Sequence, residues 1–137
     1  MLAEPNPQSD ITFNMIPENV KKLLKRWKVI HLATSSKEGI PNLIAVECCG
    51  IAGDKILIAD CHFGKTKKNL DENKRVSILT ENNKEHYQIK GTAEYQTSGK
   101  YFDKIVKILE GTGYQAKGII LVSCDEIYDL DKYTRLL

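Results

Sequence analysis

The sequence predicts a mainly β domain in which about six antiparallel strands form a closed or split barrel, with three helices at its gaps. Three observations favour this fold. Apolar and polar residues alternate along several short segments, as in half-buried strands. Short turns rich in Gly, Asn and Asp connect most of these segments, as expected for antiparallel neighbours. A barrel would also leave few unpaired strand edges.

Length and composition are those of one globular domain. The chain has 137 residues, of which 42% are hydrophobic and 28% are charged, enough for one modest core. Its net charge of +2 is too small, and its lysines are too dispersed, to indicate a nucleic-acid partner. No apolar run approaches the roughly 20 residues of a membrane helix, and the first residues lack a signal-peptide layout. We therefore expect a cytoplasmic protein, with a flexible arm at residues 1–16 and one domain at 17–137.

The cysteines indicate free thiols. In a reducing compartment we expect them in or near the core. Cys48 and Cys49 are adjacent, so on a strand they face opposite sides, and the sequence has no CxxC pair or zinc spacing. We therefore predict no metal site. The sequence leaves open whether Cys61 takes part in redox chemistry, although packing is the favoured role.

The first half of the chain is predicted to contain a helix and a three-stranded meander. Residues 17–27 have the spacing of an amphipathic helix that packs over a barrel end. Its apolar stripe consists of Val20, Leu23, Leu24 and Trp27. For Trp27, packing at the rim is favoured over stacking on a ligand ring. Strands are predicted at residues 28–35, 41–51 and 55–59, joined by turns of a few residues.

The second half is predicted to supply three more strands and a helix. The strands span residues 75–80, 86–96 and 117–128. The middle one alternates strictly, and Gly91 at its centre indicates a bulge or bend. A helix is predicted at residues 98–110, with Ser98 as its cap. The run at 118–122 is apolar on both faces, which predicts burial by the core on one side and by a helix or a partner subunit on the other.

The segment after the third strand carries the clearest functional signal. A glycine and then Lys65-Thr66-Lys67-Lys68 follow the apolar strand and begin a short helix. The unpaired N–H groups and the dipole of a helix N-terminus favour an anion. Lysine adds a full charge, and threonine adds a hydroxyl donor. We therefore predict that Lys65 and Thr66 hold the phosphate of a cofactor; the simpler alternative is a solvated helix face.

Three motifs in a fixed order extend this interpretation. They are FGKTKKNLDENKRVSIL at residues 63–79, an earlier strand that ends in Ala-Thr, and the later strand QIKGTA at residues 88–93. Together they resemble the pyridoxamine-phosphate-oxidase-like, FMN-binding split-barrel superfamily, over residues 17–130. The resemblance implies a six-stranded split barrel that forms a homodimer and binds non-covalent FMN at the subunit interface.

The resemblance also implies which residues bind the cofactor. Lys65 and Thr66 match the pair that grips the phosphate. The residues that match positions near the isoalloxazine ring and the ribityl chain are Val46, Glu47, Ala59, Asp60 and His86. The first two would line the ring through their backbone, and His86 matches a position that reaches the flavin in some members.

The chain also departs from the true oxidases of the superfamily. Lys65-Thr66 stands where they carry Arg-Lys, and their arginine-rich C-terminal motif for the substrate phosphate is not found. We therefore do not expect pyridoxamine phosphate oxidation. The hypothesis is an FMN-dependent oxidoreductase or electron-transfer protein, with the substrate, the electron donor and any catalytic side chain left open. The alternative is a non-enzymatic flavin or haem carrier on the same barrel.

Overall fold

The computed structural model describes residues 16–137, which form a closed six-stranded antiparallel barrel. The elements are α1 (Glu18–Lys21), β1 (Val29–Ser35), β2 (Pro41–Ala52), β3 (Lys55–Asp60), α2 (Lys65–Glu72), β4 (Arg75–Glu81), β5 (His86–Gln96), α3 (Lys100–Ile108), β6 (Gly118–Asp129) and β7 (Thr134–Arg135). The strand order is β3-β2-β1-β4-β5-β6, and pairing of β3 with β6 closes the barrel. The predicted fold class is confirmed.

Alternation along the strands determines which side chains fill the barrel. In β1, Ile30, Leu32 and Thr34 are buried, and the residues between them are partly or fully exposed. The same pattern recurs in β4 and β5. Because side chains in a strand have a period of two, slipping the register by one residue would bring the polar set inside. The apolar pattern therefore specifies which face of each strand is buried and excludes register slips of one residue.

The predicted bend in β5 is confirmed at Gly91. The β5–β6 register shifts between Lys90 and Gly91. A Cβ atom at Gly91 would lie 2.2 Å from the carbonyl oxygen of Ser123 and 2.8 Å from a methyl group of Val122. The close approach of the two strands therefore requires glycine at this position.

The apolar run in β6 is buried on both faces, as predicted. Ile120 and Val122 belong to the cluster that fills the barrel. Ile119 and Leu121 belong to a second cluster outside the barrel, together with Ile105 of α3. The helix therefore covers the outer face of the strand.

The helices predicted at residues 17–27 and 98–110 are both shorter in the structure. The helix expected at residues 17–27 spans only Glu18–Lys21 and continues as turns, although Val20, Leu23 and Leu24 are buried as predicted. It stops early because Trp27 donates its N–H to the carbonyl oxygen of Cys48 at 2.7 Å, which draws the chain onto β2.

The expected cap of the later helix was also wrong. Gly99, and not Ser98, occupies the N-cap position of α3, and no side chain caps this helix. The two-residue β7 was not predicted, because a strand so short has no alternation to read.

The predicted N-terminal arm lies almost entirely outside the described residues, which begin at Ile16. Ile16 itself is buried against the barrel cluster. No helix within residues 16–137 is both long enough and apolar enough to cross a bilayer.

Candidate functional site

A pocket of about 310 Å³ lies between β2, the end of β3 and the loops that follow β3 and α3. Its volume is at the lower end of the range typical of ligand sites. Strand β2 contributes residues 44–47, and β3 contributes Ala59. Three residues predicted to lie near a cofactor ring, Val46, Glu47 and Ala59, are thus brought together in one cavity. The cavity's other lining residues were not predicted as a group, because they come from β2 and from loops that are far apart in the chain.

The pocket reaches Phe63, two residues before α2, whereas Lys65 and Lys68 line a separate cavity of about 200 Å³. Phe63, which lines the pocket, directly precedes Gly64, the N-cap residue of the helix. Gly64 has a φ of +55° and no side chain to cap the first N–H groups. The first turn contains no acidic residue, and Lys65 and Lys68 are exposed there. Lysines at a helix N-terminus are unfavourable by roughly 0.3–1 kcal/mol each, an arrangement that a bound anion would reverse.

Lys65 and Thr66 point in different directions, because consecutive residues of a helix are about 100° apart. Lys65 is exposed, whereas Thr66 is fully buried and its Oγ1 accepts a hydrogen bond from Nδ2 of Asn42 at 3.1 Å. One turn later, Asn69 donates from Nδ2 to Oγ1 of Thr34, also at 3.1 Å. These two bonds hold α2 against β1 and β2.

Asn42 and Asn69 are positioning residues that sequence reasoning missed. Asn69 and Thr34 do belong to the motifs that carried the family resemblance. The occurrence of Asn69 and Thr34 in these motifs was the signal available from the sequence, but only the fold shows that the two side chains form a hydrogen bond.

Asp60 is buried, and its bonds hold the loop between β3 and α2. Its carboxylate accepts hydrogen bonds from the N–H of Phe63 at 2.9 Å and from the hydroxyl of Tyr95 at 2.5 Å. Its carbonyl oxygen accepts from the N–H of Lys117 at 2.7 Å. Burial and the bond to Asp60 raise the pKa of Tyr95 well above its ordinary value. Asp60 therefore connects β3, β5 and the segment before β6, and it orients the loop that leads to the phosphate-binding candidates.

His86 lies at the other end of the barrel. It begins β5 and pairs with Glu81 of β4, whereas Lys67 of α2 lies over the ring of Tyr95 near the end of β5, with its Nζ 4.6 Å from the ring centroid. Its Nδ1 is 2.9 Å from an oxygen of Asp131, and its Nε2 is 3.4 Å from an oxygen of Glu81. A single chain does not bring His86 to the pocket, so its predicted contact with a cofactor stays a prediction.

The thiols have the properties of packed side chains. All four cysteines are free. Burial raises the pKa of Cys48 to about 11 and that of Cys124 to about 12. The pKa of Cys61, which lines the pocket, is raised by burial and by the charge of Asp60. A raised pKa lowers the thiolate population and therefore the reactivity, which supports packing as the role of Cys61.

The closed six-stranded antiparallel barrel defines a split-barrel protein. The chain belongs to the pyridoxamine 5'-phosphate oxidase family, whose model matches residues 16–130. An uncharacterized protein of Methanocaldococcus jannaschii is 35% identical over 128 residues, which cover 88% of this chain and 84% of that protein.

Solved structures share the fold. HupZ of Group A Streptococcus superposes with a TM-score of 0.78 at 22% identity, covering 88% of this chain and 98% of its own. An FMN-binding protein of Syntrophomonas wolfei gives 0.66 at 21% identity, covering 90% and 91%. HutZ, the haem storage protein of Vibrio cholerae, gives 0.65 at 15% identity, covering 81% and 92%. At these identities the likeness shows the fold alone.

Proposed function

We propose that this protein is a flavoprotein that binds FMN non-covalently and acts as an oxidoreductase or an electron-transfer protein. The observation that carries the proposal is that the pocket ends two residues before the start of α2. Phe63 lines the cavity, and the next residue opens a helix whose first turn carries lysines and no carboxylate. An apolar cavity for a ring and an anion site beside it match the two halves of a flavin mononucleotide.

The residues present fit this cofactor. The first N–H groups of α2, with Lys65, would hold the phosphate, whereas the buried Thr66 would hold the helix start in place through its bond with Asn42. Val46, Glu47 and Ala59 would lie along the ring, and Asp60 would orient the loop between the two halves. When bound, FMN supplies hydride or single-electron transfer. The chain's part is to bind the ring, exclude water from it and hold the phosphate.

We propose further that the protein is a homodimer with the cofactor at the interface. Large apolar side chains are exposed on one side of the barrel: Val29 is 52% exposed, Leu43 66% and Ile40 65%. Val29 lies on the outer face of β1, and Leu43 lies on the outer face of β2, the strand that lines the pocket. A second copy would cover this surface. It would also be required for any role of His86 at the cofactor.

We propose a cytoplasmic location, which the cysteines support. Four free thiols are expected in a reducing compartment, which favours the cytoplasm.

A second candidate is a haem carrier. His62 is exposed and lines the pocket, and imidazole is a usual axial ligand of haem iron. The family fold is also that of HutZ, which is described as a haem storage protein. Replacing His62 with alanine would abolish a haem spectrum and leave flavin binding nearly unchanged, so this variant separates the two candidates.

One experiment tests the proposal directly. The purified protein is examined by visible absorbance before and after addition of FMN, and any released ligand is identified by mass spectrometry. We expect the two broad flavin bands and FMN in the released fraction. A colourless protein whose added FMN passes freely through a dialysis membrane would refute the proposal. Consumption of NADH or NADPH by the loaded protein would then distinguish an enzyme from a carrier.

A further inference from the structure

The backbone of Trp27 is in a conformation that bulky residues avoid. Its φ is +75°, and Trp27 and Tyr133 are the two non-glycine residues with a positive φ among residues 16–137. The left-handed conformation costs an L-residue about 1–2 kcal/mol. Strain of this kind persists only where surrounding contacts impose it, and it clusters at functional sites.

Hydrogen bonds on both sides of β2 residue Cys48 impose this conformation. The N–H of Trp27 donates to the carbonyl oxygen of Cys48 at 2.7 Å, and the N–H of Cys48 donates to the carbonyl oxygen of Lys28 at 2.8 Å. Trp27 is therefore fixed against the strand that lines the pocket. These two bonds hold residues 27 and 28 on β2, so the indole cannot join the buried apolar stripe that begins in α1.

Burial does not account for the position of the indole. The other members of its apolar stripe are buried, with Val20 and Leu24 at 0% exposure, whereas Trp27 is 41% exposed and lines the pocket. A tryptophan placed for packing at the rim would be expected to cover its ring. The strained backbone instead presents a large flat aromatic surface to the cavity.

A second aromatic side chain lines the same cavity. Tyr114 is 52% exposed and lies in the loop after α3, just beyond Gly113, whose φ is +84°. Its N–H donates to Oγ1 of Thr112 at 3.1 Å, which holds the backbone of the loop. Two exposed aromatic residues from distant parts of the chain thus border one small apolar pocket.

We infer that Trp27 is the stacking wall of the pocket, against which the flat ring system of the ligand lies, with Tyr114 as a second aromatic contact. This inference rests on the proposed function, since it identifies the ring system as that of FMN. Offset stacking between aromatic rings favours such a complex beyond the area that it buries. The strain at Trp27 is then the cost of keeping the indole directed at the ligand.

The test compares two flavins. Equilibrium dialysis measures the affinity of the wild-type protein and of W27A for FMN and for riboflavin, which has the ring and lacks the phosphate. Because the indole would contact the ring alone, we expect W27A to weaken both affinities by the same factor, about tenfold. W27F, which keeps a stacking ring, should recover most of this loss. Y133A, at the other strained and exposed aromatic residue, is the matched control and should leave both affinities unchanged.

Two further readouts separate stacking from a structural role. W27G removes the indole but suits the positive φ, so it should be more stable than W27A while binding flavin equally weakly. Stacking of indole on flavin should also add long-wavelength charge-transfer absorbance, which W27A would lose.

The outcomes distinguish the inference from the proposed function. Wild-type affinity for flavins in W27A, or a loss confined to FMN, would overturn the inference and leave the proposed function standing. If the wild-type protein binds neither flavin, the proposed function falls and the inference falls with it.

Discussion

The hydroxyl of Tyr95 donates a 2.5 Å hydrogen bond to the carboxylate of Asp60, a contact that joins the end of β5 to the end of β3. The approach is possible because residue 118 is glycine: a Cβ there would lie 2.4 Å from the hydroxyl oxygen of Tyr95. The second oxygen of the same carboxylate accepts the N–H of Phe63. This pair therefore positions the loop between the ring pocket and the helix that starts with the phosphate-binding candidates.

We predict that Y95F destabilises the protein. Asp60 is 2% exposed, so loss of the hydroxyl leaves a buried carboxylate oxygen without its donor, which costs about 1–3 kcal/mol. Urea denaturation measures the free energy of unfolding. Y133F, at a tyrosine that is 91% exposed, serves as the control and should match the wild type. Equal stability of Y95F and Y133F would mean that the bond is replaced by water.

We predict that stability falls at alkaline pH: the buried thiols contribute above their ordinary pKa of 9.0, and two tyrosines contribute above their ordinary pKa of 10.0. Burial and a carboxylate partner raise the pKa of Tyr87 to about 12, with Glu85 as the partner, and they raise the pKa of Tyr95 further. Each folded tyrosine keeps its proton at a pH where the unfolded chain has lost it. The stabilisation from these tyrosines is therefore fully present below a pH of about 10 and is lost above it, at up to about 1.4 kcal/mol per pH unit for each tyrosine.

Urea denaturation midpoints measured at several pH values above and below about 10 test whether stability falls as the pH rises. Y95F should show a shallower decline than the wild type, because one of the tyrosines with a raised pKa no longer titrates. An unchanged slope in Y95F would remove Tyr95 as a source of the effect.

We predict that K65A weakens FMN binding about tenfold and leaves riboflavin binding unchanged. Lys65 would contribute a charge-assisted bond to the phosphate alone. The matched control is K100A, because Lys100 occupies the first turn of α3 and is also exposed. Calorimetric titration with each flavin separates the two contributions. Equal losses in K65A and K100A would indicate a general charge effect and argue against a phosphate site at α2.

We predict that G91A is far more destabilising than G39A. Both positions are glycines, but a Cβ at residue 91 would meet the backbone oxygen of Ser123 at 2.2 Å, whereas residue 39 has φ +87° and open space around it. G39A should cost about 1 kcal/mol through its backbone conformation. G91A should cost several kcal/mol or prevent folding, because two paired strands must separate. Comparable unfolding midpoints would show that the barrel relaxes easily at the bulge.

We predict that L43E converts the proposed homodimer to a monomer. Leu43 is 66% exposed on the outer face of β2, and a buried unpaired carboxylate is costly at an interface. Sedimentation velocity of the wild type, L43E and Y133E measures the assembly, with Y133E expected to remain dimeric. A monomeric wild type at micromolar concentration would contradict the dimer proposal itself.

Local patterns in the sequence were sufficient for most of the barrel. Strand β5 was predicted with its observed bounds, His86–Gln96, and the bulge at Gly91 was anticipated from one glycine in a strictly alternating run. The helix start at Lys65 was also predicted correctly. These features depend on side-chain alternation and turn chemistry, which involve residues close together in the chain.

The sequence by itself therefore determined the strands, their faces and the segment that carries the phosphate-binding candidates. Only the tertiary structure decided that Trp27 leaves its helix to meet Cys48, that Tyr95 bonds to Asp60, and that His86 lies at the far barrel end. Each of these outcomes depends on which residues the barrel's register brings together. Register between strands far apart in the chain follows from closing the whole sheet, and no local pattern contains it.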